Sequence, residues 1–180
     1  MRKTFSAACL SFLLVCATGC KKQKADSTSP DPRGSAGAAA GRPSSDAAVD
    51  LVLPIVGKGT EYQLASILGK KTILLAFFTT WCPYCKQSMP YLQGFYEKHR
   101  AKDFELVGID LQEPNDLVEQ FVKKYGVTFP VLLAQDQSVL YPHYAVRFLP
   151  TLYLISKEGR VTGKFEGFNP SVLDEVAKQL

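Results

Sequence analysis

Large apolar side chains fall into two blocks along this chain: a short run, Phe5–Ala17, and a long stretch from Val49 to Leu180. Between them, Lys21–Ala48 contains no aromatic or large aliphatic residue. Within the long block, Leu51–Val56 reads as a short strand. Thr72–Phe78 (TILLAFF) reads as a buried one, because an unbroken apolar run suits a central strand covered on both faces. After Pro83 the spacing turns helical, with Met89, Leu92, Phe95 and Tyr96 on one face and a kink expected at Pro90. Phe104–Asp110 (FELVGID) is the next strand. Asn115–Tyr125 follows as a helix, with Asn115 or Asp116 as cap, an apolar face of Leu117, Val118, Phe121, Val122 and Tyr125, and Gly126 just past its end. Phe129–Ala134 is a strand and Ser138–Tyr144 a short helix. Thr151–Ile155 and Val161–Gly167 then flank the turn signature Lys157-Glu158-Gly159-Arg160, and a last helix starts with Asn169 as cap and Pro170 in first position. This alternation predicts an α/β fold with a central mixed sheet and helices on both faces.

The first block changes the picture of the N-terminus. Arg2 and Lys3 precede the apolar run, which is too short for a permanent membrane span and has the build of a secretory signal peptide. It ends at Ala17-Thr18-Gly19-Cys20, which resembles a bacterial lipobox, where the cysteine is lipidated and becomes the new N-terminus; the alternative is a plain signal peptide cut elsewhere. Residues 1–19 are therefore expected to be a leader, and 20–48 a lipidated cysteine on a disordered tether too poor in apolar surface to fold. Residues 49–180 form one domain. Of the five cysteines, Cys9 and Cys16 leave with the leader and Cys20 is lipidated. Cys82 and Cys85 remain as a pair, as an oxidising envelope compartment favours.

Charge excludes one class of partner. The chain carries a formal net charge of +4, but the excess lies before residue 49, and residues 49–180 hold 14 basic and 14 acidic side chains. A nucleic-acid binder concentrates positive charge on its folded domain, and this one does not.

The sharpest chemical signal is Cys82-Pro83-Tyr84-Cys85, placed where a buried strand turns into a helix. The spacing brings two sulfurs within bridging reach across one helical turn and puts Cys82 at the helix N-terminus. Free N–H groups and the helix dipole favour a thiolate there, and the thiolate is the nucleophile of disulfide exchange. Cys82 is expected to attack, and Cys85, one turn further in, to resolve the mixed disulfide. A structural zinc site needs four ligands, and the domain offers no second cysteine pair and only His99 and His143. A disulfide across two residues closes too small a loop to staple the domain.

Phe77-Phe78-Thr79-Thr80-Trp81-Cys82-Pro83-Tyr84-Cys85 with Pro90, then Tyr125-Gly126-Val127-Thr128-Phe129-Pro130, then Tyr144 through Thr151, resembles the thioredoxin superfamily, and within it the TlpA/ResA-like envelope lipoproteins. The resemblance implies a thioredoxin-like fold with an N-terminal extension and an insert before its second half. It implies a cis Pro150 facing the cysteines, with Leu149 offering its backbone to an extended substrate; a trans proline opening the next strand is the alternative. A cis X–Pro bond exposes the preceding N–H and C=O as a strand edge that an incoming peptide can pair with. Trp81 is either a substrate platform or a shield over the disulfide.

This sequence departs from the family in three places. Ala76 stands where thioredoxins carry a buried Asp, and Ser88 where the ResA-like proteins usually have a Glu. The proton of the inner cysteine is then left to water or to Glu113. The dipeptide Pro83-Tyr84 is typical of glutaredoxins. His143, seven residues before Pro150, raises a second reading in which two thiolates and an imidazole hold Cu(I) as a copper chaperone. The primary expectation is a monomeric, membrane-tethered thiol–disulfide oxidoreductase with no cofactor and no metal. It would reduce disulfides of envelope proteins and be recharged by a membrane electron donor, with oxidase or isomerase action as the alternative direction.

Overall fold

A computed structural model describes residues 46–140 and 143–180. The expected leader (1–19), Cys20 and the tether as far as residue 45 lie outside them. Asp46–Ala48, the last residues of that expected tether, are strapped to the far end of the domain. Ala47 bridges Arg160, the Asp46 carbonyl accepts the Val161 N–H (2.7 Å), and the Ala48 N–H donates to Gly159 O (2.9 Å).

The strand elements are β1 (Val52–Pro54), β2 (Glu61–Gln63), β3 (Thr72–Phe78), β4 (Phe104–Leu111), β5 (Val131–Ala134), β6 (Thr151–Ile155) and β7 (Val161–Glu166). The α-helices are α1 (Pro83–His99), α2 (Asn115–Tyr125) and α3 (Ser171–Ala177). Five strands form one mixed sheet in the order β5-β4-β3-β6-β7, and β1 and β2 pair separately. β4 runs parallel to β3 and β5 to β4, while β6 is antiparallel to β3 and β7 to β6. Every residue of β3 is buried, which is why its run lacks a polar alternate and why it sits centrally.

Two cores flank the sheet. One face carries Leu74, Ala76 and Phe78 of β3 under side chains from all three α-helices, including Met89, Phe121 and Val176, and it includes Cys82 and Cys85. The other carries Ile73, Leu75 and Phe77 under Leu53 of the β1–β2 hairpin, Leu64, Leu140 and Tyr144. Helical segments thus lie on both faces, but unequally. Among the described residues the second face carries the 3-10 turns Leu64–Ser66 and Gln137–Val139, and of the short helix expected over Ser138–Tyr144 residues 141 and 142 lie outside those described. Each large apolar side chain taken fully out of water contributes roughly 1.5–3 kcal/mol, so both layers matter.

The ends of the elements differ in detail from the sequence pattern. The α2 N-terminus has no side-chain cap; Asn115 Oδ1 instead accepts the Gly57 N–H (3.0 Å), tying the β1–β2 turn to the helix. Gly126 closes α2 in the left-handed conformation (φ 61°), as expected of a glycine there. Asn169 Oδ1 accepts the Ser171 N–H (3.1 Å), with α3 starting one residue after Pro170. α1 runs on through Pro90. Among the described residues no helix is long and apolar enough to cross a membrane.

His99, at the end of α1, is buried against the rings of Phe95 (4.4 Å between centroids) and Phe104, and neither ring nitrogen has a partner among the described residues. Burial, then Lys102 and Lys98, holds its pKa below the ordinary 6.5. The unfolded chain therefore binds this proton first on acidification, and stability is lost as pH falls through the ordinary histidine range. Thermal melts from pH 7 to pH 5 are expected to show a shallower decline for His99→Phe than for the unchanged protein. Parallel declines would remove His99 as the cause.

Candidate active site

The site is built where β3 ends. Thr79 and Thr80 continue from Phe78 as a buried turn, and Trp81 then leaves the surface, 66% exposed. Cys82 has extended backbone angles (φ −69°, ψ 119°) and caps α1, with Pro83 supplying the preset φ of a first helical residue. The Cys85 N–H donates to Cys82 Sγ (3.3 Å), so an amide of the first turn aims at the sulfur on which negative charge develops during exchange. Both cysteines are free thiols. Cys82 keeps 4% exposure and Cys85 none. Burial, followed by the hydrogen bond with Cys82, pushes the Cys85 thiol well above the ordinary thiol range.

A second segment comes in from β6. The Leu149–Pro150 bond is cis, and Cys82 Sγ donates to the Leu149 carbonyl at 3.7 Å. This segment is held on both sides: Thr151 Oγ1 donates to Phe148 O (2.6 Å), and the Gly167 N–H donates to Pro150 O (2.8 Å). Tyr84 and Phe148, both more than half exposed, stand at the rim with Leu149 and Phe168 of a groove of about 630 Å³ beside the sulfurs. Trp81, Cys82, Pro83, Tyr84, Cys85, Leu149 and Pro150 are thus brought to one end of the sheet.

Ala76 and Ser88 are buried as expected of inner-face positions, and neither place holds an acid. Ala76 lies between Gly108 of β4 and Leu152 of β6, and Ser88 Oγ donates to Cys85 O (2.8 Å). Carboxyls reach the site from the neighbouring strand instead. Glu113 accepts the Thr80 hydroxyl (2.6 Å) and the Thr80 N–H, and its own N–H donates to Asp110 Oδ1 (3.2 Å). Asp110 is fully buried, and the sequence pattern treated it only as the end of a strand. Burial, then the hydrogen bond and charge of Glu113, raise its pKa to about 8.

His143 corrects the copper reading. Among the described residues no three His, Cys, Asp or Glu side chains converge on a site able to hold a metal ion, so His143 is not brought to Cys82 and Cys85. The reason lies in the backbone: the His143 and Tyr144 N–H groups both donate to Leu140 O, and Tyr144 is buried on the sheet face opposite the sulfurs.

Comparison with known proteins bears on the family and the fold. A family model described as Redoxin matches residues 43–180. Over 110 residues the chain is 36% identical to thiol-disulfide oxidoreductase ResA of Bacillus thuringiensis (strain Al Hakam), covering 61% of this chain and 62% of the relative. Over 103 residues it is 39% identical to ResA of Bacillus subtilis (strain 168), covering 57% and 56%. The matched stretch therefore spans about three fifths of the length of these relatives. Among solved structures, a thiol:disulfide interchange protein of the thioredoxin family from Chlorobium tepidum TLS superposes with a TM-score of 0.66 at 24% identity, covering 74% of this chain and 94% of the other. That likeness shows a thioredoxin-like fold.

Proposed function

Since the chain belongs to the Redoxin family, we propose that it is a thiol–disulfide oxidoreductase of the cell envelope that works through Cys82 and Cys85 without a cofactor. One observation carries this reading: Cys82 caps α1 with its sulfur against the Leu149 carbonyl, while Cys85 lies fully buried behind it. An outer nucleophile and a shielded resolving thiol are what two-step exchange requires.

In the reducing direction the Cys82 thiolate attacks one sulfur of a substrate disulfide, the substrate S–S bond breaks, and its other sulfur leaves as a thiolate. Cys85 then attacks Cys82 Sγ, releasing the second substrate sulfur and closing the Cys82–Cys85 disulfide. Two electrons pass to the substrate, and a membrane electron donor returns them. The substrate strand pairs with Leu149 beside Pro150, and its side chains rest on Trp81 and Tyr84, whose exposure suits a platform better than a shield. Pro83 presets the first turn. Residues 1–19 act as the leader, Cys20 carries the lipid, residues 21–45 tether the domain, and the domain, with Asp46–Ala48 strapped to it, works as a monomer outside the cytoplasm on disulfide-containing envelope proteins. The mass of the mature N-terminus checks the anchor.

Redox titration against glutathione and dithiothreitol tests the direction. A potential nearer the thioredoxin value of about −270 mV than the −120 mV of strong envelope oxidases is expected, with the pair mainly reduced in acid-quenched cells. A potential at the oxidising end and a mainly oxidised pair would replace reductase action by oxidase or isomerase action.

A further inference from the structure

The buried carboxyls behind the active-site turn have no part in the exchange as written so far, yet the resolving step needs somewhere for the Cys85 proton to go. β3 and β4 are parallel neighbours in which Leu74, Ala76 and Phe78 pair with Leu106, Gly108 and Asp110. Paired residues share a face, so Asp110 lies on the face of the sheet that also buries Cys82 and Cys85. Its Oδ2 is buried without a partner among the described residues, as is Thr79 Oγ1. The connection out of β4 is bent to keep the two acids together. Gln112, between Leu111 and Glu113, has φ 64°, the one positive value at a non-glycine among the described residues. A side-chain-bearing residue is disfavoured in the left-handed conformation, and it persists where surrounding contacts impose it. Here those contacts are the Gln112 N–H to Ala134 O (3.1 Å), the Gln135 amide to Glu113 O (2.6 Å), and the Glu113 carboxylate on Thr80.

These contacts tie the pair to the back of the active-site turn. The Cys82 N–H donates to Thr79 O (3.4 Å), Thr80 follows Thr79, Glu113 holds both the hydroxyl and the N–H of Thr80, and the Glu113 N–H donates to Asp110. We propose that the Asp110–Glu113 carboxyl pair is the proton acceptor and donor for Cys85, filling from the neighbouring strand the place that Ala76 and Ser88 leave without an acid. Glu113 is the positioning member, and Asp110 the member that gains and loses the proton. In resolution the Cys85 Sγ–Cys82 Sγ bond forms and the Cys82 Sγ–substrate bond breaks. The substrate sulfur leaves with the bonding electrons and takes a proton from solvent, and the Cys85 proton passes to ionised Asp110. When an electron donor reopens the disulfide, protonated Asp110 returns the proton to the departing Cys85 sulfur. The groups facing the pair are the Thr79–Thr80 turn with Cys82 and Cys85 beyond it and, from the β5 side, the neutral amide of Gln135; Glu113 is the charge that acts on Asp110. An ionisation near pH 8 keeps both protonation states populated around neutrality, which suits a group that must both accept and donate.

The inference rests on the proposed exchange reaction, and one assay separates the two. Reduced protein mixed with 5,5′-dithiobis(2-nitrobenzoate) releases one thionitrobenzoate as Cys82 attacks and a second as Cys85 resolves. For Asp110→Asn and Glu113→Gln the first phase is expected to stay within about threefold of the unchanged protein. The second is expected to slow by about 10²-fold, the lower range for loss of a general base, and Asp110→Asn is expected to lose the rise in rate through pH 8. A second phase of unchanged rate and pH profile, or equal slowing of both phases, overturns the proposal. No burst from the unchanged protein would instead overturn the exchange reaction itself. Folding of Asp110→Asn is favoured, because the folded state holds this proton up to about pH 8 while the unfolded chain releases it near 3.8. The stability so gained is lost as pH rises through that window, and asparagine does not carry that loss. Infrared difference spectra of the unchanged protein, oxidised minus reduced near pH 8, give a second readout. A carboxyl C=O band that changes with redox state is expected, and its absence counts against the pair.

Discussion

Cys82→Ser is expected to lose disulfide exchange by roughly 10³-fold or more while leaving the fold almost untouched, the usual outcome when a covalent nucleophile is removed from a preorganised site. The two halves of that expectation have separate causes. Serine is among the best helix caps, and its hydroxyl can accept the Cys85 N–H that Cys82 Sγ now accepts, so α1 keeps its first hydrogen bond and the melting temperature should shift little. Chemistry fails because the remaining thiol, Cys85, has no exposure, and burial holds it in its protonated form. Iodoacetamide labelling of the native reduced protein at neutral pH, followed by peptide mapping, should find the label on Cys82, and in Cys82→Ser labelling should wait for denaturant. Native labelling of Cys82→Ser at the unchanged rate, or exchange above a few per cent, would overturn the assignment of Cys82 as attacking thiol.

The sheet and the sulfurs were legible in the sequence for a physical reason: a central strand buried on both faces leaves an unbroken apolar run, and Thr72–Phe78 is β3 to the residue. α2 was equally plain because one face is apolar and Gly126 stops it. Cover on the second face was legible only in part: Leu51–Val56 reads as a strand and contains β1, whereas β2 and the turn Leu64–Ser66 are too short to establish a period and gave no signal. The active site divides in the same way. Cys82 and Cys85 announce themselves locally and Leu149 and Pro150 through the family resemblance, whereas the Asp110–Glu113 pair exists only through pairing of β4 with β3 and the left-handed turn at Gln112. A signal was nonetheless present in FELVGID: a carboxylate closing an otherwise buried strand has to find a partner or keep its proton. His143 went the other way. Its distance in sequence from Pro150 suggested proximity to the sulfurs, and the turn at Leu140 leads the chain to the opposite face.

Cys85→Ser separates the two chemical steps that Cys82→Ser abolishes together. The attacking sulfur, its Leu149 contact and the first-turn amide all remain, so formation of a mixed disulfide with substrate is expected within a few-fold of the normal rate. Release is expected to slow by roughly 10³-fold or more, because a neighbouring thiol acts at an effective molarity of about 10⁵ M or higher when well aligned, and a hydroxyl cannot replace it. Covalent complexes through Cys82 should therefore accumulate in cells and survive non-reducing electrophoresis, and mass spectrometry of the trapped chains identifies the substrate proteins directly. The position is buried, and Ser88 Oγ already donates to the Cys85 carbonyl, so a serine there inherits an ordered backbone and the fold should hold. The contrast with Asp110→Asn is the sharper test of the whole site. Loss of the resolving sulfur should stop release at every pH, whereas loss of its proton acceptor should slow release and flatten its dependence on pH around 8. Continued multiple turnover by Cys85→Ser without trapped complexes would mean that Cys82 works alone, and both assignments behind it would fall.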